Sequence, residues 1–98
     1  MLESFDARKA NPYGESVSTL RLNQQGGYKL VSLAIPAGKE LAEHSTPVPA
    51  TLVMLEGEAR FIVGAEETRL TAGGVVPIAA GEPHRIVALR DSHFLLAR

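Results

Sequence analysis

The chain has 98 residues, 45% of them hydrophobic, with ten Lys and Arg against eleven Asp and Glu and no cysteine. This describes one folded domain with a modest core, and nearly balanced charge without a basic stripe argues against nucleic acid as a partner. Disulfides, thiolate ligands and a cysteine nucleophile are excluded, no apolar run reaches the ~20 residues that span a bilayer, and Met1–Asp6 lacks signal-peptide character, so a cytoplasmic location is expected.

Residues 1–16 carry no strand signal and are read as an N-terminal extension, leaving 17–98 as the domain. Phe5 and Tyr13 in that extension are candidates to pack on a partner or to fold back on the domain. From Val17 onward the chain shows short apolar runs punctuated by Gly and Pro. Val17–Leu22 predicts a strand, 23–27 a turn, and Tyr28–Ile35 a second strand rich in aliphatic and β-branched residues. Leu41–His44, Leu52–Leu55, Ala59–Val63, Thr68–Leu70, Val75–Ile78, His84–Leu89 and His93–Ala97 complete the set. Glu56-Gly57-Glu58 between two of these runs reads as a hairpin turn. About nine evenly spaced short strands, with no helix of the usual ~10 residues, predict an all-β sandwich or barrel. Leu52-Val53-Met54-Leu55 includes no polar residue, although a strand with one wet face should alternate. Some outer faces are therefore expected to be covered, by a homodimer partner or by a second sheet.

Two segments carry more specific information. One reads Gly38, five residues, His44, Ser45, Thr46, and closes with Leu55-Glu56-Gly57. The other begins at Gly73 and ends Gly81-Glu82-Pro83-His84. Together they resemble the two motifs of the cupin superfamily, in small single-domain conserved-barrel (RmlC-like) form, over roughly residues 17–97. The resemblance implies a double-stranded β-helix, or jelly-roll barrel. It also implies a divalent metal held by three histidines and a glutamate. His44 and His84 stand at two of those four positions, whereas Thr46 and Ala50 occupy the other two. Ala79 and Ala88 replace the motif's proline and asparagine.

The resemblance places His44 and His84 on adjacent strands facing one pocket. Strand parity adds Thr46, Leu52 and Met54 beside His44, and Ile86 beside His84, although Pro47 and Pro49 can shift the first register. For Leu52, Met54 and Ile86 taken singly, plain core packing is the alternative role. Such a lining is mainly apolar, with two imidazoles and a hydroxyl, and suits a small organic ligand better than a highly charged phosphosugar. Imidazole is a common ligand of Zn, Ni, Fe and Mn, yet catalytic zinc generally has three protein ligands. His44 and His84 thus read either as pocket histidines satisfied by hydrogen bonds or as a two-residue metal site. The first gives a small-molecule-binding barrel of unassigned activity. The second gives a metal-dependent dioxygenase, isomerase or lyase. A metal-free general base at His44 or His84 is a third route, which requires a partner acid or tyrosine. His93 has no spacing that joins it to the pair and reads as a strand-end residue.

Overall fold

The computed structural model describes residues 2–98; Met1, part of the expected extension, lies outside the described residues. A single turn of helix, α1 (Ala7–Ala10), is followed by nine strands among the described residues: β1 (Ser18–Arg21), β2 (Leu30–Ile35), β3 (Glu40–His44), β4 (Ala50–Glu56), β5 (Glu58–Val63), β6 (Glu66–Thr71), β7 (Val75–Ile78), β8 (His84–Ala88) and β9 (Ser92–Ala97). They form two antiparallel sheets, ordered β1-β2-β9-β4-β7 and β3-β8-β5-β6. The expected all-β jelly-roll architecture is what the chain adopts.

Alternation explains which side of each strand is inside. Leu33 and Ile35 on β2, Leu52 and Met54 on β4, Phe61 on β5, Ile86 on β8 and Phe94 on β9 make one buried cluster between the sheets. Each such side chain stabilises the fold by roughly 1.5–3 kcal/mol on burial. Thr51 is exposed, and Val53 and Leu55 are half-buried, so β4 alternates despite its unbroken apolar sequence. Burial on both faces occurs instead on β2, where every residue from Val31 to Ile35 is buried.

The cover for β2 comes from the same chain. Asn11 is buried and its Nδ2 donates to Ser18 O and to Ser32 O, clasping β1 and β2. Asp6 caps α1 by accepting from Arg8 N at 2.8 Å. Tyr13 folds back on the barrel and donates its hydroxyl to Glu56 Oε2 at 2.8 Å. Phe5 remains largely exposed.

Gly57 is not a hairpin turn. β4 lies in the first sheet and β5 in the second, so the chain turns a corner between sheets at this residue. Gly57 has φ +102°, and an added Cβ would collide with the backbone of Asp91 and Ser92. The sequence signal identified a tight bend correctly; only strand pairing distinguishes a corner from a hairpin. The true hairpin joins β5 and β6, where Arg60 and Arg69 sit opposite each other. Their like charges are offset by Glu67 and Glu58 respectively. No helix among the described residues is long and apolar enough to cross a membrane.

Candidate functional site

One end of the barrel gathers the loops 22–29, 45–49, 64–65 and 79–83. Loop 45–49 carries the chain from His44 to Ala50, and loop 79–83 carries it from Ile78 to His84. The two loops are tied by Gly81 N donating to Thr46 O at 2.7 Å. The mouth is therefore braced by backbone.

His44 and His84 are direct partners in the β3–β8 ladder. Their rings are 4.4 Å apart between centroids and tilted by 59°. His84 is buried and stacks on Phe61, with centroids 5.4 Å apart; His44 is half-buried. Each ring is oriented by its own strand: His44 Nδ1–H donates to Ala42 O at 3.0 Å and His84 Nδ1–H to Glu82 O at 2.9 Å. A carbonyl oxygen can only accept, so both protons belong on Nδ1. In the neutral rings this leaves an Nε2 lone pair on each.

Around the pair, Leu52, Met54 and Ile86 belong to the packed core between the sheets. Thr46 is buried, but its hydroxyl donates to Val48 O at 2.8 Å within its own turn. The proline-rich turn consumes the one hydroxyl that parity had aimed at the pocket. Phe61 was missed by sequence reading. Its place next to His84 follows from the β5–β8 register, which no spacing within one strand reveals. Arg85 points outward and bonds Glu40.

The resident metal of the superfamily needs more donors than this pair supplies. Among the described residues no three His, Cys, Asp or Glu side chains come together in a way that could hold a metal ion. Two imidazoles do not make the three-ligand set of catalytic zinc.

His93 occupies a different place. Its neighbour Phe94 faces the core, so His93 faces outward, beneath the N-terminal segment, and is fully buried there. Its Nε2 lies 2.5 Å from Ser32 Oγ, while Ser32 donates to Ala7 O. Ser32 has one proton, so His93 donates from Nε2 and its Nδ1 is a buried lone pair without a partner. A one-residue slip in the β4–β9 register sets Glu56 opposite His93. Arg8 and Tyr13 both donate to Glu56, and Tyr13 meets His93 edge-on at 5.9 Å. Burial holds the His93 imidazole below its ordinary value, against an opposing pull from Glu56. Hydrogen bonds from Tyr13 and Arg8 lower the Glu56 carboxyl. Burial, followed by the bond to Glu56, raises the Tyr13 phenol. This cluster fastens the N-terminal segment to the sheet and does not join the His44–His84 pair.

A family model described as the cupin domain matches residues 31–96. An RmlC-like cupin protein from Desulfovibrio desulfuricans is similar in structure, with 25% identity, a TM-score of 0.85, and coverage of 99% of this chain and 95% of that one. A conserved protein of unknown function from Streptococcus pyogenes is similar at 22% identity and TM-score 0.85, over 99% of this chain and 86% of that one. A DMSP lyase from Ruegeria pomeroyi shares the fold at 25% identity and TM-score 0.77, with 85% of this chain matching 46% of the lyase. No curated protein matches the sequence.

Proposed function

The chain belongs to the cupin domain family, and from that premise we propose that it binds a small organic molecule at the barrel end where His44 and His84 meet. The observation that carries this reading is the orientation of the pair. Both Nδ1 protons are used on local carbonyls, so two Nε2 lone pairs remain to accept hydrogen bonds from a ligand. The apolar wall beside them, including Phe61 against His84, supplies desolvation. In this reading Thr46, Leu52, Met54 and Ile86 shape the wall. The domain is 17–98, with residues 1–16 as an extension whose stretch from Ala7 to Tyr13 is laid over it.

The same orientation favours a second reading, in which His44 and His84 hold a divalent transition metal of an enzyme. Fixing Nδ1–H on a carbonyl is how metal-bound histidines are commonly oriented. The DMSP lyase is an enzyme relative in fold, but this chain spans under half of its length. The donor set favours the binding reading.

With only three histidines in the chain, ring-proton NMR separates the two. A screen of small organic acids, amides and alcohols is expected to yield ligands that shift the His44 and His84 signals and spare His93. A screen in which nothing shifts either signal would sink the binding reading. Metal analysis of purified protein is expected to find no stoichiometric Zn, Ni, Fe or Mn. A stoichiometric metal that disappears in the His44→Ala/His84→Ala variant would establish the second reading instead.

We also propose a homodimer. The edge strands β1 and β7 of the larger sheet carry exposed Leu20 and Val75. Size-exclusion chromatography with light scattering is expected to give about twice the chain mass of 10.5 kDa; a monomer at micromolar concentration would rule it out.

A further inference from the structure

Strand register brings three basic residues to the inner face of the larger sheet at the mouth. Arg21 pairs with Val31, Val31 with Leu96, and Leu96 with Leu52. Leu52 is in the core, so this row faces into the barrel. Lys29 and Arg98 stand two residues beyond Val31 and Leu96 and share that face by parity. Their main chains are joined, with Lys29 N donating to Arg98 O and Arg98 N to Lys29 O.

Two adjoining clefts share Arg21, Lys29 and Arg98 in their walls. One, of about 290 Å³, adds Thr19, Val31 and Leu96. The other, of about 470 Å³, adds Tyr28, Pro47 and Val48 among others, reaching the loop that follows His44. Volumes of this order suit a small molecule. Arg8, Arg60, Arg69 and Arg85 each have a carboxylate partner. Among the described residues Arg21, Lys29 and Arg98 have none; Lys9, Lys39 and Arg90 have none either, but the first three line the same two clefts. Lys29 and Arg98 are also half-buried, which strengthens their pull on an anion relative to a fully solvated cation. The carboxylates of Glu66 and Glu67 line a third cleft with Val63, Thr68 and the Phe61 that stacks on His84, so the cations and these carboxylates lie in different clefts.

We infer that the molecule bound at the mouth is a small amphipathic anion, with its acidic head held by Arg21, Lys29 and Arg98 and its apolar part lying on Val31 and Leu96. This rests on the small-molecule reading above and specifies its ligand class. It also revises the expectation from sequence, in which an apolar lining argued against a strongly charged ligand. That lining came from the His44 and His84 segments alone, whereas the cations lie on strands whose register was not readable. A carboxylate and a phosphate head share the chemistry that a guanidinium fork and an ammonium recognise.

The test is calorimetric titration with hexanoate, hexyl phosphate, hexanol and hexylamine. Hexanoate or hexyl phosphate is expected to bind at least about tenfold more tightly than hexanol or hexylamine, and whichever head binds better identifies the preferred acid. The Arg21→Gln/Lys29→Gln/Arg98→Gln variant is expected to weaken that binding at least about tenfold, the scale of three partly exposed ion pairs acting together. The charge-preserving Arg21→Lys/Lys29→Arg/Arg98→Lys variant is expected to lose less affinity than the Gln variant, because the charge stays while the guanidinium forks are exchanged, and Arg60→Gln on the outer hairpin to change nothing. Equal affinity for hexanol, or unchanged affinity in the Gln variant, would overturn the inference. Failure of both anions, while neutral molecules still shift the His44 and His84 signals, would overturn it and leave the small-molecule reading intact. Histidine signals that respond to no small molecule at all would count against the underlying reading itself.

Discussion

Replacing Gly57 by alanine is expected to cost about 3 kcal/mol or more, enough to remove a large share of a small domain's stability. Two costs coincide at this corner. The backbone sits at φ +102°, a region that side chains with a Cβ rarely adopt. The new Cβ would also strike the Asp91 carbonyl, and would stand 2.5 Å from Ser92 Oγ and 2.7 Å from Ser92 Cα. Two of the three are backbone atoms, where the turn at Asp91 enters β9 at Ser92, and they cannot rotate away. Ser92 is itself pinned: its Oγ accepts from Glu58 N, and its single proton lies between the carbonyls of Arg90 at 2.8 Å and Glu58 at 3.1 Å. Gly38 provides the comparison: its φ is +81°, but an added Cβ meets nothing within 4 Å. Gly38→Ala is therefore expected to cost only the conformational term, roughly 1–2 kcal/mol. Denaturant midpoints of the two variants measure the difference, and equal losses would show that the close approach at Gly57 contributes nothing.

Gly57 also shows where sequence reading reaches its limit. A glycine flanked by two apolar runs signals a sharp bend, because local conformation is encoded locally. Whether the bend closes a hairpin or passes between sheets depends on which strands pair, and pairing is a property of distant residues. The same division holds at the site. The family resemblance implied that His44 and His84 lie on adjacent strands, and the β3–β8 ladder has them opposite each other. Phe61, Arg21, Lys29 and Arg98 reach the mouth only through the registers of β1, β2, β5, β8 and β9, which no single strand states. Parity along one strand would have put Lys29 on the face of Val31 and Leu33, but it could not show that this face ends at an open mouth. The cover on β2 was equally hidden. Unbroken apolar runs announced buried faces, but the residues that fasten the cover are Asn11, Tyr13, Ser32, Glu56 and His93, all polar and scattered along the chain.

That polar cluster sets the second large effect. Ser32→Ala is expected to destabilise the protein by about 1–3 kcal/mol, although it removes only one oxygen. His93 already has one ring nitrogen buried without a partner, and the substitution would leave the Nε2 proton buried and unpaired as well. The second substitution His93→Phe, made on top of Ser32→Ala, is expected to recover most of the loss, because it removes the stranded polar atoms and keeps a ring against Tyr13. An additive loss in the double variant would show that the 2.5 Å contact between His93 and Ser32 is not what holds the segment. Acid should act on the same group. The His93 imidazole is held below its ordinary value of 6.5 in the folded chain, first by burial, with Arg8 adding to the effect and Glu56 and Asp6 opposing it. Above that ordinary value both folded and unfolded chains keep it neutral, and its contribution is constant. As the pH falls through 6.5 the unfolded chain takes up the proton first, so stability declines until the lower folded value is passed. Asp6 and Glu56, both held below the usual carboxylate range by hydrogen bonds, add a separate decline at more acid pH. The difference between wild-type and His93→Phe stability curves isolates the histidine. It is expected to bend as the pH falls through 6.5 and to flatten above pH 7. A difference curve that is flat through the whole range would mean that His93 is solvated, and that the N-terminal segment is fastened by its other bonds, those of Arg8, Asn11, Tyr13 and the Ala7 carbonyl.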